Sequence, residues 1–353
     1  MPDPYNGFGR GEACLARPRF DSMTLMSAKL FLVAIALTAT VFGQAKTCDR
    51  ACLEAYVDKY LDAMMAHDPA KAPFARGVKF TENGQRLELG DGLWNTITGK
   101  GTYRLFVTDV EAQQVAFLGS ITESNVGAVI GLRLKVRNNQ ITEAEHFVQR
   151  SPNSAAGFER IGYKWTEPVP VAERMSREEL VKTANMYFSG MQKNDGKGDY
   201  PFADDCSRIE NGGLTTNQPV AQGKQRPDPK TATGYSGNWS CMEQFKSGLL
   251  HFVTRIRDRR YVAVDPERGL VFSLIFFDHS AGDTRNFETP DGRKVTAGPQ
   301  QPWTWQLVEL FEIRKGQLHQ IEAIMERSPY GMNSGWSSWE DGLSDRGRDV
   351  TKQ

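Results

Sequence analysis

The chain repeats itself, and no other feature narrows its folds so sharply. The decamer Ile-Thr-Glu-Ala-Glu-His-Phe-Val-Gln-Arg ends at Arg150 and runs into Ser151-Pro152. Leu-His-Gln-Ile-Glu-Ala-Ile-Met-Glu-Arg ends at Arg327 and runs into Ser328-Pro329. Superposing the two arginines sets Glu145 over Glu322, Val136 over Ile313 and Arg137 over Arg314 without a gap. Further upstream, Tyr60–Met64 matches Tyr187–Met191. Pro73-Phe74-Ala75 with Glu82-Asn83-Gly84 matches Pro201-Phe202-Ala203 with Glu210-Asn211-Gly212. A repeat on this scale means one module of about 100 to 150 residues, an ordinary domain size, present twice.

Each copy opens with apolar residues at helical spacing, Leu53–Met65 and Leu180–Met191. In the second copy Ser176 and Glu179 form a capping-box pattern. Alternating or β-branched runs follow: Tyr103–Asp109, Gln114–Thr122, Gly127–Arg137 and Ile141–Gln149, then Arg255–Val264, Leu270–His279, Thr304–Ile313 and Leu318–Arg327. Asn138-Asn139, Asp265–Gly269 and Lys315-Gly316 supply turns that make consecutive strands antiparallel hairpins. Helices first and a sheet after define an α+β chain with domains at 46–150 and 176–330, a linker at 151–175 and a tail at 331–353. The second copy carries two Gly- and Pro-rich insertions, Gly212–Asn238 and Ser280–Pro302. Long loops in a compact domain are often lids, so the second copy is the first place to look for a ligand.

Residues 1–45 read as an over-extended start plus a signal peptide: Lys29, the apolar run Leu30–Val41, and the small-x-small site Gly43-Gln44-Ala45. That run falls short of the ~20 residues a membrane span needs, which implies a secreted or periplasmic protein with no span after the signal is removed. Export permits disulfides, and chain order pairs Cys48 with Cys52 and Cys206 with Cys241, among three possible connectivities. Lys and Arg total 43 against 43 for Asp and Glu, too balanced for non-specific nucleic-acid binding. Phosphate-loop, dinucleotide and His-Glu-x-x-His patterns are absent, so no cofactor and no metal are expected.

The opening-helix tyrosines and the phrase Phe202-Ala203-Asp204-Asp205 resemble the nuclear transport factor 2-like superfamily and its SnoaL-like and ketosteroid-isomerase-like branches. The first copy has only Phe74-Ala75 before Arg76. The resemblance implies two tandem cone-shaped domains, each with N-terminal helices packed in a curved antiparallel sheet around a mostly apolar cavity. Carried over by position, the isomerase's general base falls on Glu210 and Glu82, and its oxyanion-stabilising tyrosine on Tyr187 and Tyr60. Its second donor, a protonated acid, falls near Val308 and Gly131, which are apolar. A desolvated carboxylate and a buried phenol can run cofactor-free isomerisation, elimination, hydration or aldol-type chemistry.

Around that pair, Arg208 lies two residues before Glu210 and can join it or an anionic ligand. His279, at a strand end beside an insertion, is placed for a cavity rim. Glu145 and Glu322 can enter the cone or lie outside it, and His146 points away from Glu145. The tail Tyr330–Trp336 folds back over a cavity mouth or packs between copies. The leading expectation is a lyase or isomerase for a small, largely apolar organic molecule, with Glu210, Tyr187, His279 and Arg208 as site residues. Its rivals are a non-catalytic binder of such a ligand and an assembly module that forms a homodimer through its sheet faces.

Overall fold

The computed structural model describes residues 47–162 and 167–352, so the leader lies outside the described residues. The first copy opens with helix α1, Arg50–Met65, whose N-cap Asp49 accepts from the Cys52 amide. Strands β1 (Phe74–Glu82), β2 (Ile97–Asp109), β3 (Gln114–Glu123), β4 (Val126–Arg137) and β5 (Gln140–Gln149) follow. Helix α2, Pro152–Ile161, falls in the segment expected to be linker. The second copy repeats the order: α3 (Arg177–Met191) with both capping-box bonds of Ser176 and Glu179, β6 (Phe202–Glu210), a short α4 (Cys241–Lys246), β7 (Arg255–Asp265), β8 (Leu270–His279), β9 (Trp303–Arg314) and β10 (Gln317–Ser328).

The result is α+β with two large sheets and few helices. The strand orders correspond: β1-β5-β4-β3-β2 in one sheet, extended beside β1 by a two-residue strand, and β6-β10-β9-β8-β7 in the other, extended by two-residue strands at both edges. The expected antiparallel sheet needs one correction. β1 pairs with β5, and β6 with β10, in parallel. Hairpin turns fix only the meander β2 to β5. β1 is joined to it by a longer connection, which is free to bring β1 alongside β5 in the same direction.

Side chains alternate between two environments. On one face, Tyr60 and Leu61 of α1 share a buried cluster with Phe117, Ile130 and Ala144, while Tyr187 and Phe188 of α3 share another with Phe277, Leu307, Phe311 and Ala323. The opposite faces of the two sheets close on each other. Leu105, Leu118, Val129 and Phe147 from the first copy meet Val262, Phe272, Leu274, Val308, Leu310 and Ile324 from the second, with Phe158 of α2 added. Each fully buried side chain of this kind contributes roughly 1.5–3 kcal/mol, so the seam is a third core.

Polar contacts across the seam are reciprocal. Arg50, the first residue of α1, grips Asp265 at the end of β7 with two bonds of 2.8 Å. Its counterpart Arg177, the first residue of α3, grips Asp109 at the end of β2 in the same way. The Thr108 amide donates to Asp265 and the Val264 amide to Asp109. These are matching bonds of an isologous interface, made within one chain. The sheet faces expected to support a homodimer therefore cover each other. Glu145 and Glu322 both lie in this seam, against Arg260 and Tyr103 respectively, and so outside either copy's interior.

The disulfides are Cys48–Cys52 and Cys206–Cys241. The second ties β6 to α4. The two insertions pack around Trp239 and Leu249, the first contributing Ala232 and the second Phe287 and Val295, and Arg293 of the second donates to the Pro229 carbonyl of the first. The tail returns to the seam. Asp258, buried in the left-handed region at φ 48°, accepts from Ser334 and Arg348 at 2.7 Å each, and Trp336 donates to Thr81 of β1 at 2.8 Å.

Candidate active site

In β9, Leu307, Glu309 and Phe311 share one face while Val308 and Leu310 face the seam. Strand alternation thus places a carboxylate in phase with the apolar interior. Glu309 lines a cleft with Tyr187 and Met191 of α3, Arg208 and Glu210 of β6, Trp305 of β9, and Tyr235 of the first insertion. Leu250, Phe252, Val253, Phe277, Leu307 and Met325 complete its mostly apolar wall. Its volume is about 40 Å³, room for about one water.

Three of the four residues singled out in the sequence meet here. Tyr187 is fully buried, with its hydroxyl unpaired, and desolvation pushes it well above the usual phenol range. Arg208, two residues from Glu210 on the same strand face, donates to it and to Gln244 of α4 at 2.6 Å. Burial works against the Arg208 charge, yet Glu210 more than compensates and its pKa is raised. Glu210 is the partly exposed member, its side chain 21% accessible.

His279 is not at the cleft. It is wholly buried, its ring stacked 4.0 Å from that of Trp303, and desolvation lowers it to about 4. An apolar strand end beside an insertion turned out to be covered by the tryptophans of β9, which displaces the histidine from the rim.

Glu309 is the residue the sequence reading missed. The position carried over from the isomerase landed on Val308, one residue away, and a shift of one residue in a strand reverses the face. Glu309 is fully buried, its Oε2 without a partner. Desolvation raises it to about 8, with the Arg208 charge holding the rise back. At neutral pH it is a protonated acid beside the tyrosine, able to donate. The cleft thus presents two neutral donors, a guanidinium and one carboxylate to a molecule of a few heavy atoms.

The first copy treats its matching residues differently. Tyr60 bonds to His146 Nε2 at 2.6 Å and accepts from Trp94 at 3.2 Å. Burial opposes the charge on Glu82, but His146, Arg150 and the Leu93 amide outweigh it and hold the carboxyl at about 2. The Asn-Gly after each glutamate forms a positive-φ turn. His319 bonds to Asp205, and His67 to the Trp94 carbonyl. Among the described residues no group of three or more His, Cys, Asp or Glu is disposed to hold a metal ion.

A solved structure, the crystal structure of a de novo designed protein with curved β-sheet, is similar at 19% identity and a TM-score of 0.20, over 43% of this chain and 88% of that one. Comparison with curated proteins gives no match. The family described as a domain of unknown function (DUF8021) matches twice, over residues 46–148 and 173–325, the same two copies that the repeat and the paired sheets delineate. On that match over most of its length, the chain belongs to the DUF8021 family.

Proposed function

We propose that the second copy is a cofactor-independent lyase or isomerase for a small, largely apolar organic molecule. The observation that carries this reading is the pairing of Tyr187 and protonated Glu309, two buried donors with unused bonding capacity, in a cleft that also holds a carboxylate. A buried polar group without a partner costs roughly 1–3 kcal/mol, so two together in an apolar wall ask for an explanation, and a substrate oxygen supplies one. In this reading Tyr187 and Glu309 donate to the oxygen on which negative charge develops. Glu210 takes the proton from the adjacent carbon. Arg208 holds Glu210 in place through their hydrogen bond. A cleft this small admits a substrate by losing its water and by displacement of Tyr235 on the first insertion.

The same arrangement supports the nuclear transport factor 2-like resemblance: each copy is read as a cone, with its helix inside the curved sheet. Two disulfides support export, and among the described residues no helix is long and apolar enough to cross a membrane. A second reading, a non-catalytic binder of the same ligand, is favoured by the ion pair that occupies Glu210. Native mass spectrometry of the expressed chain identifies a co-purifying ligand, and Glu210→Gln separates the readings. A catalyst loses turnover while retaining affinity. A protein that never turns the ligand over is the binder, and one that takes up no ligand sinks both readings.

A further inference from the structure

A second recess opens on the seam, remote in composition from the cleft. Its volume is about 190 Å³, and it is lined by Lys79 of β1, Arg133 and Lys135 of β4, Glu143 of β5, Arg260 of β7, and Trp336 and Val350 of the tail. Four of the seven lining residues are cations and one is a carboxylate. Arg133 and Arg260 are more than nine-tenths buried and are held by a shared anchor behind them, Glu145, which accepts from Arg133 Nε at 3.2 Å and from both terminal nitrogens of Arg260 at 3.1 and 2.7 Å. Arg133 also donates through Nη1 to Gln114 and Glu143, whereas among the described residues its Nη2 makes no hydrogen bond. Lys79 spends one proton on the Gly335 carbonyl, and its ammonium lies 3.8 Å from the centre of the Trp336 ring.

The second copy has no counterpart of this cluster. The positions that match Lys79, Arg133, Lys135 and Glu143 in the second copy are Ser207, Leu310, Glu312 and Gln320, not one of them a cation. The two halves share a backbone plan and a reciprocal clasp, so the concentration of positive charge on one side is a departure that packing alone leaves unexplained. Desolvation lowers Lys79 and Lys135 from the usual lysine range; around Lys79, Glu145 and Glu143 pull the other way, and Arg133 and Arg260 add to the lowering. An anion in the recess would face the two guanidiniums and the Lys79 ammonium together.

We propose that this recess binds a small tetrahedral oxyanion of the phosphate or sulfate class, with Arg133 Nη2 and Lys79 as its principal donors, Arg260 supplying fixed charge and Trp336 forming the wall beside it. Pre-set guanidiniums match the oxygens of such an ion, and the room suits a group of this size together with several waters. The site does not depend on the reading of the Glu309 cleft.

The test is isothermal titration of the whole mature chain with inorganic phosphate and, separately, with inorganic sulfate, ionic strength being held constant with sodium chloride. We expect one saturable site for at least one anion. Lys79→Met, a substitution at an exposed position, should weaken it about tenfold, the loss of one charge-assisted bond, and Lys79→Arg should restore it. Equal responses to the two anions indicate an all-acceptor ligand, whereas a response to phosphate alone indicates that the ligand also donates, to Glu143. Absence of saturable heat from both anions overturns the proposal, as does unchanged affinity in Lys79→Met. The thermal unfolding of Lys79→Met without anion is measured alongside, so that lost binding is not mistaken for lost fold.

Discussion

Glu309 and Leu132 hold the same position in their respective copies, one an acid and the other a hydrocarbon. Leu132 pairs across its ladder with His146, and Glu309 pairs across its own with Ala323. The polar neighbour of the helix tyrosine therefore stands on a different strand in each copy. In the first copy His146 saturates Tyr60 from β5. In the second, Glu309 stands near Tyr187 on β9 and the phenol remains unspent.

That difference gives two tyrosine-to-phenylalanine variants opposite signatures. Tyr60→Phe strands His146 Nε2 and the Trp94 indole and should cost about 1–3 kcal/mol in urea unfolding. Tyr187→Phe removes a hydroxyl that has no partner, so its stability should be unchanged or improved, while turnover of the co-purifying ligand falls by about two orders of magnitude.

Activity should fall as pH rises past about 8, where Glu309 ionises and ceases to donate. Glu309→Gln retains a neutral donor and should flatten that limb of the pH-rate profile while leaving the rate at neutral pH largely intact. Glu309→Leu should abolish turnover. A profile unaltered by the Gln substitution removes Glu309 from the chemistry.

Stability should also decline as pH rises. Burial raises Glu309 to about 8, and raises Glu322 to about 7, with Tyr103 and Gln320 opposing the rise. Both groups bind protons more tightly folded than unfolded, so their contribution is complete below about pH 4.5, the ordinary carboxyl range, and disappears through pH 7 to 8. His279, lowered to about 4, acts in the other direction, its contribution disappearing as pH falls from about 6.5 to 4. Urea midpoints between pH 6.5 and 8.5 should therefore slope downward, and Glu322→Gln should reduce the slope.

The seam clasp can be tested by removing one cation. Arg177→Met leaves Asp109 buried and short of its guanidinium and should cost about 3–5 kcal/mol. Removing both members, Arg177→Met with Asp109→Leu, should recover part of that loss. A midpoint unchanged by the single substitution means the clasp adds nothing.

Reducing Cys206–Cys241, which spans 35 residues, frees a loop whose closure is worth about 4 kcal/mol in the chain-entropy account. The double serine variant should unfold at lower urea and lose ligand affinity, because the bond ties β6, with Arg208 and Glu210, to the helix that carries Gln244.

Much of this was legible in the residues. The repeat, the strand alternation and the capping box were plain, and Tyr187, Arg208 and Glu210 do share a cleft. Glu309 is hidden by the isomerase resemblance, which points to Val308 on the opposite face, although its phase with Leu307 and Phe311 marks it as interior. His279 was misjudged because which aromatic rings cover a strand end is a tertiary matter, decided by Trp303. The parallel pairing of β1 with β5 was hidden for a related reason: turn chemistry reports on neighbours in sequence, and these strands are far apart in it.

The reciprocal grip of Arg50 on Asp265 and Arg177 on Asp109 has a bearing on how such a molecule can change. In a dimer of identical subunits every substitution occurs twice, so neither half can experiment without committing the other. Joined in tandem, the halves are released from that constraint, and one can keep its interior sealed as scaffold while the other opens a pocket and takes on chemistry.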